Sequence, residues 1–167
     1  GGTPSKSRSD YWDGSVSWFS GKDLKAVFLR DSIDHVTEAA IGNGTRECRA
    51  GTILILVRGM TLLKRVPVGL LTRDAAFNQD IKALLVDDAR VNSTFLTYLL
   101  ANENSRLKGL VTLAGHGTGR MPLEALKDFP IQIPPLPEQR TIADILSTWD
   151  EALEKLDALI AAKERRK

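Results

Sequence analysis

The side chains with the widest chemical reach are two histidines, His35 and His116, and a single cysteine, Cys48. A Cys–His nucleophile needs its base within hydrogen-bond reach, and nothing in the spacing of these three supports such a pair. A metal centre fails on ligand count. One cysteine also excludes an intramolecular disulfide and a cysteine metal cluster. Gly115-His-Gly-Thr-Gly119 has the glycine density of a phosphate cradle. It lacks the lysine and hydroxyl of a P-loop, and the strand-then-helix spacing and downstream acid of a dinucleotide fold. The expectation is a mobile loop. Its backbone N–H groups, with His116, Thr118 and Arg120, suit contact with a phosphate backbone.

Pro134-Pro135 invites comparison with the proline pair of amino-methyltransferases. That motif needs an Asn or Asp just before the prolines to hold the target amino group, and here Ile133 stands there. No glycine-rich S-adenosylmethionine loop accompanies it. What remains is a set of cations in turns: Lys6, Arg8, Lys22, Arg46, Arg49, Arg58, Lys64, Arg65, Arg73 and Arg120. Scattered turn cations are ordinarily just solvated. Beside Asn, Gln, Ser and Thr on loops, they also fit contact with DNA. The amides of Asn78 and Gln79 can pair with adenine edges, or equally cap the strand ends of a buried turn. Aromatic residues are only 6% of the chain, which disfavours a stacking platform for single strands.

The elements that must position these groups divide the chain in two. Its 167 residues suffice for one domain and an appendage. With 43% hydrophobic and 26% charged residues the composition is globular, and a net charge of +2 does not by itself announce a nucleic-acid binder. Residues 1–130 hold 17 basic against 14 acidic side chains, and residues 131–167 hold 6 against 7. The basic excess therefore sits on the globular part. No apolar run reaches the roughly 18 residues of a membrane span. The opening Gly1-Gly-Thr-Pro-Ser-Lys6 lacks a signal-peptide pattern, and the expected compartment is the cytoplasm.

Thr52-Ile-Leu-Ile-Leu-Val57 is the clearest strand, apolar on both faces and hence doubly covered. Arg58-Gly59 should stop it. Tyr11–Gly14 reads as a turn, Val16–Phe19 as a short strand, and Ser20–Leu24 as a turn with a helical nub. Lys25–Glu38 gives a mixed signal, and Thr37–Ala40 suits a short helix. Val66–Leu71 forms a second strand, with Pro67 suggesting an edge or bulge. Ile81–Val86 forms a third. Asn92 or Ser93 caps a helix whose apolar side carries Phe95, Leu96, Leu99, Leu100 and Leu107. Pro122–Lys127 reads as a short helix, and Ile131–Pro134 returns to the sheet.

After Pro134 the pattern changes. Ile142, Ile145, Trp149, Ala152, Leu156, Leu159 and Lys163 step by three and four, and all but the last are apolar. Leu146, Leu153 and Ile160 widen the seam into a stripe. Pro137 fits a first helical turn, and Glu138 lies near the positive end of the helix dipole. Lys163, Arg165, Arg166 and Lys167 suit the other end. A helix from about Pro137 to Arg166 would be roughly 45 Å long, and its stripe should outrun its own core. The fold class is α+β: a compact mixed-sheet domain, residues 1–135, followed by a long protruding C-terminal helix, residues 136–167.

Taken in order, these pieces resemble half of the specificity subunit of type I restriction–modification enzymes. The resemblance rests on Gly1-Gly-Thr-Pro-Ser5, Tyr11-Trp-Asp-Gly14, Trp18 with Ser20-Gly-Lys-Asp-Leu24, and Gly51-Thr-Ile-Leu-Ile55 with Arg58-Gly59. It continues through Phe77-Asn-Gln79, the Gly115–Gly119 loop, Leu126–Pro130, and Ile133-Pro-Pro-Leu-Pro-Glu-Gln139 with its trailing helix. Each piece is weak alone; the ordered set covers nearly the whole chain. The resemblance implies a target-recognition domain that reads one half of a split sequence in double-stranded DNA. It implies that the helix is a spacer and a dock for the methyltransferase subunit.

On that basis the expected DNA contacts are Lys6, Lys22, Arg58, Lys64, Arg65, Asn78, Gln79, His116, Thr118 and Arg120. The expected partner contacts are Glu138, Gln139, Ile142, Ile145, Trp149, Leu153, Leu156, Leu159 and Ile160. No catalytic group, metal or cofactor is expected on this chain. S-adenosylmethionine and ATP belong on the methyltransferase and restriction/translocase subunits. A second conserved helix should come from the same full-length chain or a second copy. The ends suggest a piece of a longer chain rather than a natural half-subunit. The alternative is a helix-mediated assembly protein that binds no DNA.

Overall fold

The computed structural model describes residues 1–165, and the side chain of His116 lies outside the described set. Arg166 and Lys167, expected at the end of the helix, also lie outside the described residues. The chain opens with β1 (Trp12–Phe19), β2 (Phe28–Leu29), β3 (Asp34–Val36) and β4 (Glu47–Cys48). Then come β5 (Ile53–Leu56), β6 (Arg58–Gly59), β7 (Val68–Leu71), β8 (Ala75–Phe77) and β9 (Ile81–Leu84). Two helices follow, α1 (Ser93–Asn102) and α2 (Asn104–Lys108), then a hairpin of β10 (Thr112–Ala114) and β11 (Thr118–Arg120). The chain closes with α3 (Leu123–Lys127) and α4 (Leu136–Glu164).

The strands make three sheets, ordered β3-β1-β8-β4, β2-β7-β5-β9 and β10-β11-β6. The second sheet holds the core. All four residues of β5 are buried, because β7 and β9 flank it and apolar layers cover both its faces. Helix α1 lies against this sheet with Leu96 and Leu100 in the core. Its N-terminus is closed by Asn92, whose Oδ1 accepts from Phe95 N at 2.8 Å. The first sheet has a smaller cluster of Trp18, Val36, Ala40 and Ala76.

Several expectations need correction. Trp12–Gly14 is the start of β1 rather than a turn. The strand bulges there, with Trp12 and Val16 both opposite Val36, and Asp13 takes φ 58°. Gly14 is needed because a Cβ on it would stand 2.4 Å from Val36 O. The mixed stretch Lys25–Glu38 contains β2 and β3, too short to show a period. Pro67 marks no edge. It precedes β7, which is interior, and its carbonyl accepts from Leu56 N at 3.0 Å. The third strand stops at Leu84, and Ile131–Pro134 joins no sheet. Arg58-Gly59 is a strand of the third sheet, not merely a stop, and Gly115–Gly119 is not a loose loop. It forms a 3-10 turn and the first two residues of β11, a strand paired on both sides.

Helix α4 begins within a residue of expectation, with Pro137 in its first turn. Its 29 residues are about 43 Å long. No helix among the described residues is long and apolar enough to cross a membrane.

Candidate nucleic-acid and partner interfaces

Three turns meet at one end of the body. Strands β1 and β8 run parallel, so their C-terminal ends lie side by side, and Asn78 N donates to Phe19 O at 2.9 Å. The turn after β8 reaches the end of β5, where Val57 N donates to Asp80 O at 2.8 Å. Val57 O accepts from Met121 N at 2.8 Å, which holds the exit of β11 at the same place. The Leu56 side chain lies beneath both Gly21 and Gly59. A Cβ on either would meet it at 3.0 and 3.6 Å respectively. The turn bearing Lys22 and the strand bearing Arg58 thus rest on one support. Arg65 ties in the next loop, its Nη2 donating to Leu24 O at 3.1 Å.

The structure therefore gathers Lys22, Arg58, Lys64, Arg65, Asn78, Gln79, Thr118 and Arg120 around linked turns, though not as equals. Lys22 is paired with Asp34 at 2.7 Å, and this bond raises the ammonium above the ordinary lysine value. Asn78 is a correction. It is buried, and its Oδ1 accepts from Asp80 N at 3.1 Å, so it shapes the turn instead of facing a base. Gln79 is exposed, with its Oε1 taken by Thr3 Oγ1 at 2.7 Å. Lys6 lines a shallow pocket with Trp12, Trp18 and Asp34. His116, as noted, has no described side chain.

Arg58 and Arg120 differ from the rest. They are directly opposed across β6 and β11, so their side chains leave the same face of the sheet. Both are exposed, and neither forms an ion pair among the described residues. Like charges placed so repel each other. Lys64, exposed just after the turn Met60–Leu63, adds a third cation without an ion pair among the described residues, on the adjoining loop. Thr112 and Ala114 share the arginines' face, by the register Thr112↔Arg120 and Ala114↔Thr118. Sequence reasoning missed these two; the alternation in Thr112-Leu-Ala114 and Thr118-Gly-Arg120 was the available signal.

The second surface is α4. Its row Gln139, Ala143, Ser147, Asp150 and Glu154 faces the body. Gln139 is 1% exposed. Its Oε1 accepts from Asn92 N at 2.8 Å, and its Nε2 donates to Arg90 O at 3.0 Å and Pro134 O at 2.8 Å. Gln139 is thus no partner contact, which corrects the expectation. Tyr98 Oη donates to Asp150 Oδ2 at 2.8 Å, and Arg30 Nη2 reaches Glu154 Oε2 at 2.9 Å. Ile142 is half-buried and Glu138 exposed. Ile145, Trp149, Leu153, Leu156, Leu159 and Ile160 are all exposed, Trp149 by 67%. The helix turns a polar and small-residue row inward and leaves its apolar stripe in water, the reverse of an ordinary surface helix.

Among the described residues, no group of three or more His, Cys, Asp or Glu side chains could hold a metal ion. Burial raises the Cys48 thiol above its ordinary value, which makes it a poor nucleophile.

Comparison with known proteins bears on both surfaces. The specificity subunit of the type I restriction enzyme EcoR124I/EcoR124II from Escherichia coli is 30% identical over 90% of this chain and 37% of its own length. The MjaIX specificity subunit from Methanocaldococcus jannaschii is 28% identical over 92% of this chain and 35% of its own. The chain thus spans a little over a third of these relatives. Among solved structures, the HsdS subunit from Thermoanaerobacter tengcongensis superposes with a TM-score of 0.61 at 19% identity, over 92% of this chain and 35% of that one. A chain from a study of complex assembly and conformational transition in the type I R-M system gives 0.63 at 20% identity, over 99% and 38%. These likenesses establish the α+β fold with its long helix. The sequence profile described as "Type I restriction modification DNA specificity domain" matches residues 1–163, and the chain belongs to that family.

Proposed function

We propose that this chain is the DNA-recognition module of a type I restriction–modification specificity subunit. It reads one half of a bipartite target in double-stranded DNA and docks the methyltransferase subunit. The body holds its position through phosphates and selects bases through a few side chains. The stripe of α4 is covered by the methyltransferase subunit and by a second conserved helix, from the same full-length chain or a second copy. S-adenosylmethionine and the flipping of the target base belong to the methyltransferase. ATP belongs to the restriction/translocase subunit, reached through the complex. This chain contributes an address and a spacer, not a reacting group.

The observation that carries the reading is the separation of two unsatisfied surfaces: Arg58, Arg120 and Lys64 on the body, without acid partners among the described residues, and the exposed apolar residues of α4. Membership of the specificity-domain family supports pairing those surfaces with DNA and protein respectively.

Each surface has its test. Binding of the assembled complex to duplex DNA should fall steeply with salt, with a log–log slope near −0.9 per neutralised phosphate. Binding that is flat or absent would leave an assembly protein. Leu156→Asp with Leu159→Asp should abolish co-purification with the methyltransferase subunit while the body stays folded. Unchanged co-purification would remove α4 as the dock.

A further inference from the structure

Resting on that reading, we infer that the β10–β11 ribbon, with β6 beside it, is the element that enters the major groove. Arg58 and Arg120 act there as a cross-strand base-reading pair. Thr112, Ala114, Thr118, Arg120 and Arg58 occupy one face by register and alternation. The opposite face meets the body at Gly119, which is buried and on which a Cβ would stand 2.9 Å from Leu62 Cβ, while its cross-strand partner Leu113 is 75% exposed. The ribbon is thus anchored through Gly119, and the arginine-bearing face is left to a ligand.

The chemistry of the free face matches a groove floor. Arginine offers a planar fork to guanine O6 and N7, while threonine hydroxyls and the methyls of Thr and Ala suit thymine. The major groove, about 12 Å wide, admits a two-stranded ribbon. At the ribbon's tip, Cβ atoms built on Gly115 and Gly117 meet nothing within 4 Å, so the turn stands clear of the body. The face has no aromatic residue for stacking, which turns it away from single strands. The two guanidinium groups repel in the free protein, and a polyanion relieves this. Lys64, on the adjoining loop, is assigned to a phosphate.

The test uses the assembled complex and a randomised pool of DNA duplexes, with sequence selection followed by affinity measurement. Arg58→Gln and Arg120→Gln should each weaken the selected duplex roughly 5- to 150-fold and relax preference at one base pair. Arg120→Lys keeps the charge but loses the fork, so it should relax preference while leaving the salt slope unchanged. Lys64→Gln should weaken all duplexes alike and reduce the salt slope by about 1. The unliganded Arg→Gln variants should melt no lower than the parent, which separates lost reading from lost folding. If the parent selects a sequence and both arginine variants select it with the same affinity, the ribbon assignment falls while DNA recognition stands. If the parent selects no sequence, both fall.

Discussion

Strand β5 and helix α4 handle apolar side chains in opposite ways. Ile53, Leu54, Ile55 and Leu56 are all buried within their own chain. In α4 only Gln139 and Ala143 are buried among 29 residues, and the leucines of its stripe stay in water. Burying a leucine or isoleucine stabilises a fold by about 1.5–3 kcal/mol. The body therefore gains most of its stability around β5. The stripe of α4 adds little until something covers it. The difference teaches that hydrophobic content alone does not locate a core. The polar row of the same helix is what binds it to the body.

The sharpest way to break this comparison is one substitution made in both places. Leu54→Ala should destabilise the chain by about 2–5 kcal/mol, since it opens a cavity in a closed core. Leu156→Ala, at a position 52% exposed, should stay within about 0.5 kcal/mol. Urea unfolding of the two variants measures both. A loss of core size at Leu156 would mean that the stripe packs internally.

Next in size is Gln139. Replacing it with Leu keeps the bulk but strands Asn92 N–H and the carbonyls of Arg90 and Pro134, all of which it now satisfies. A buried polar group without a partner costs about 1–3 kcal/mol. Gln139→Leu should therefore destabilise by about 2 kcal/mol or more. Hydrogen exchange should quicken first at the N-termini of α1 and α4. An unperturbed variant would show that the helix is held mainly by its lower contacts.

The two elements of the comparison were also the most legible in the sequence. Four consecutive apolar residues mark β5, and an unbroken 3,4 spacing marks α4. Strands β2, β4 and β6 have two residues each, too few for any period to register. The Gly115–Gly119 segment looked loose because of its glycines. Yet Gly119 answers the closeness of Leu62, not a need for freedom. The list of cations was readable, but not which were free. Lys22 meets Asp34 twelve positions away, whereas Arg58 meets Arg120 through pairing of two short strands. The inward row of α4 carries no local pattern of burial in the sequence. Its partners Arg30 and Tyr98 lie 124 and 52 positions away from Glu154 and Asp150, where no local pattern can announce them.

The smallest effect sharpens the comparison at the middle of that row. Burial first, then the bond to Asp150, pushes the Tyr98 phenol from its ordinary value of 10 up to about 12. The folded state thus prefers the neutral phenol. Its contribution is fully present below pH 10 and is lost as pH rises through about 12. Ionisation would set a phenolate against Asp150 and Glu154, both acidic, and push α4 away from α1. Because the contact is only partly shielded, Tyr98→Phe should cost under about 1 kcal/mol near neutral pH. An absorbance titration, parent minus Tyr98→Phe, should show one phenol ionising near pH 12, with faster amide exchange around Asp150 over the same range. A midpoint near 10 would mean that the hydroxyl is free in water and that the polar row grips the body only at Gln139 and Glu154.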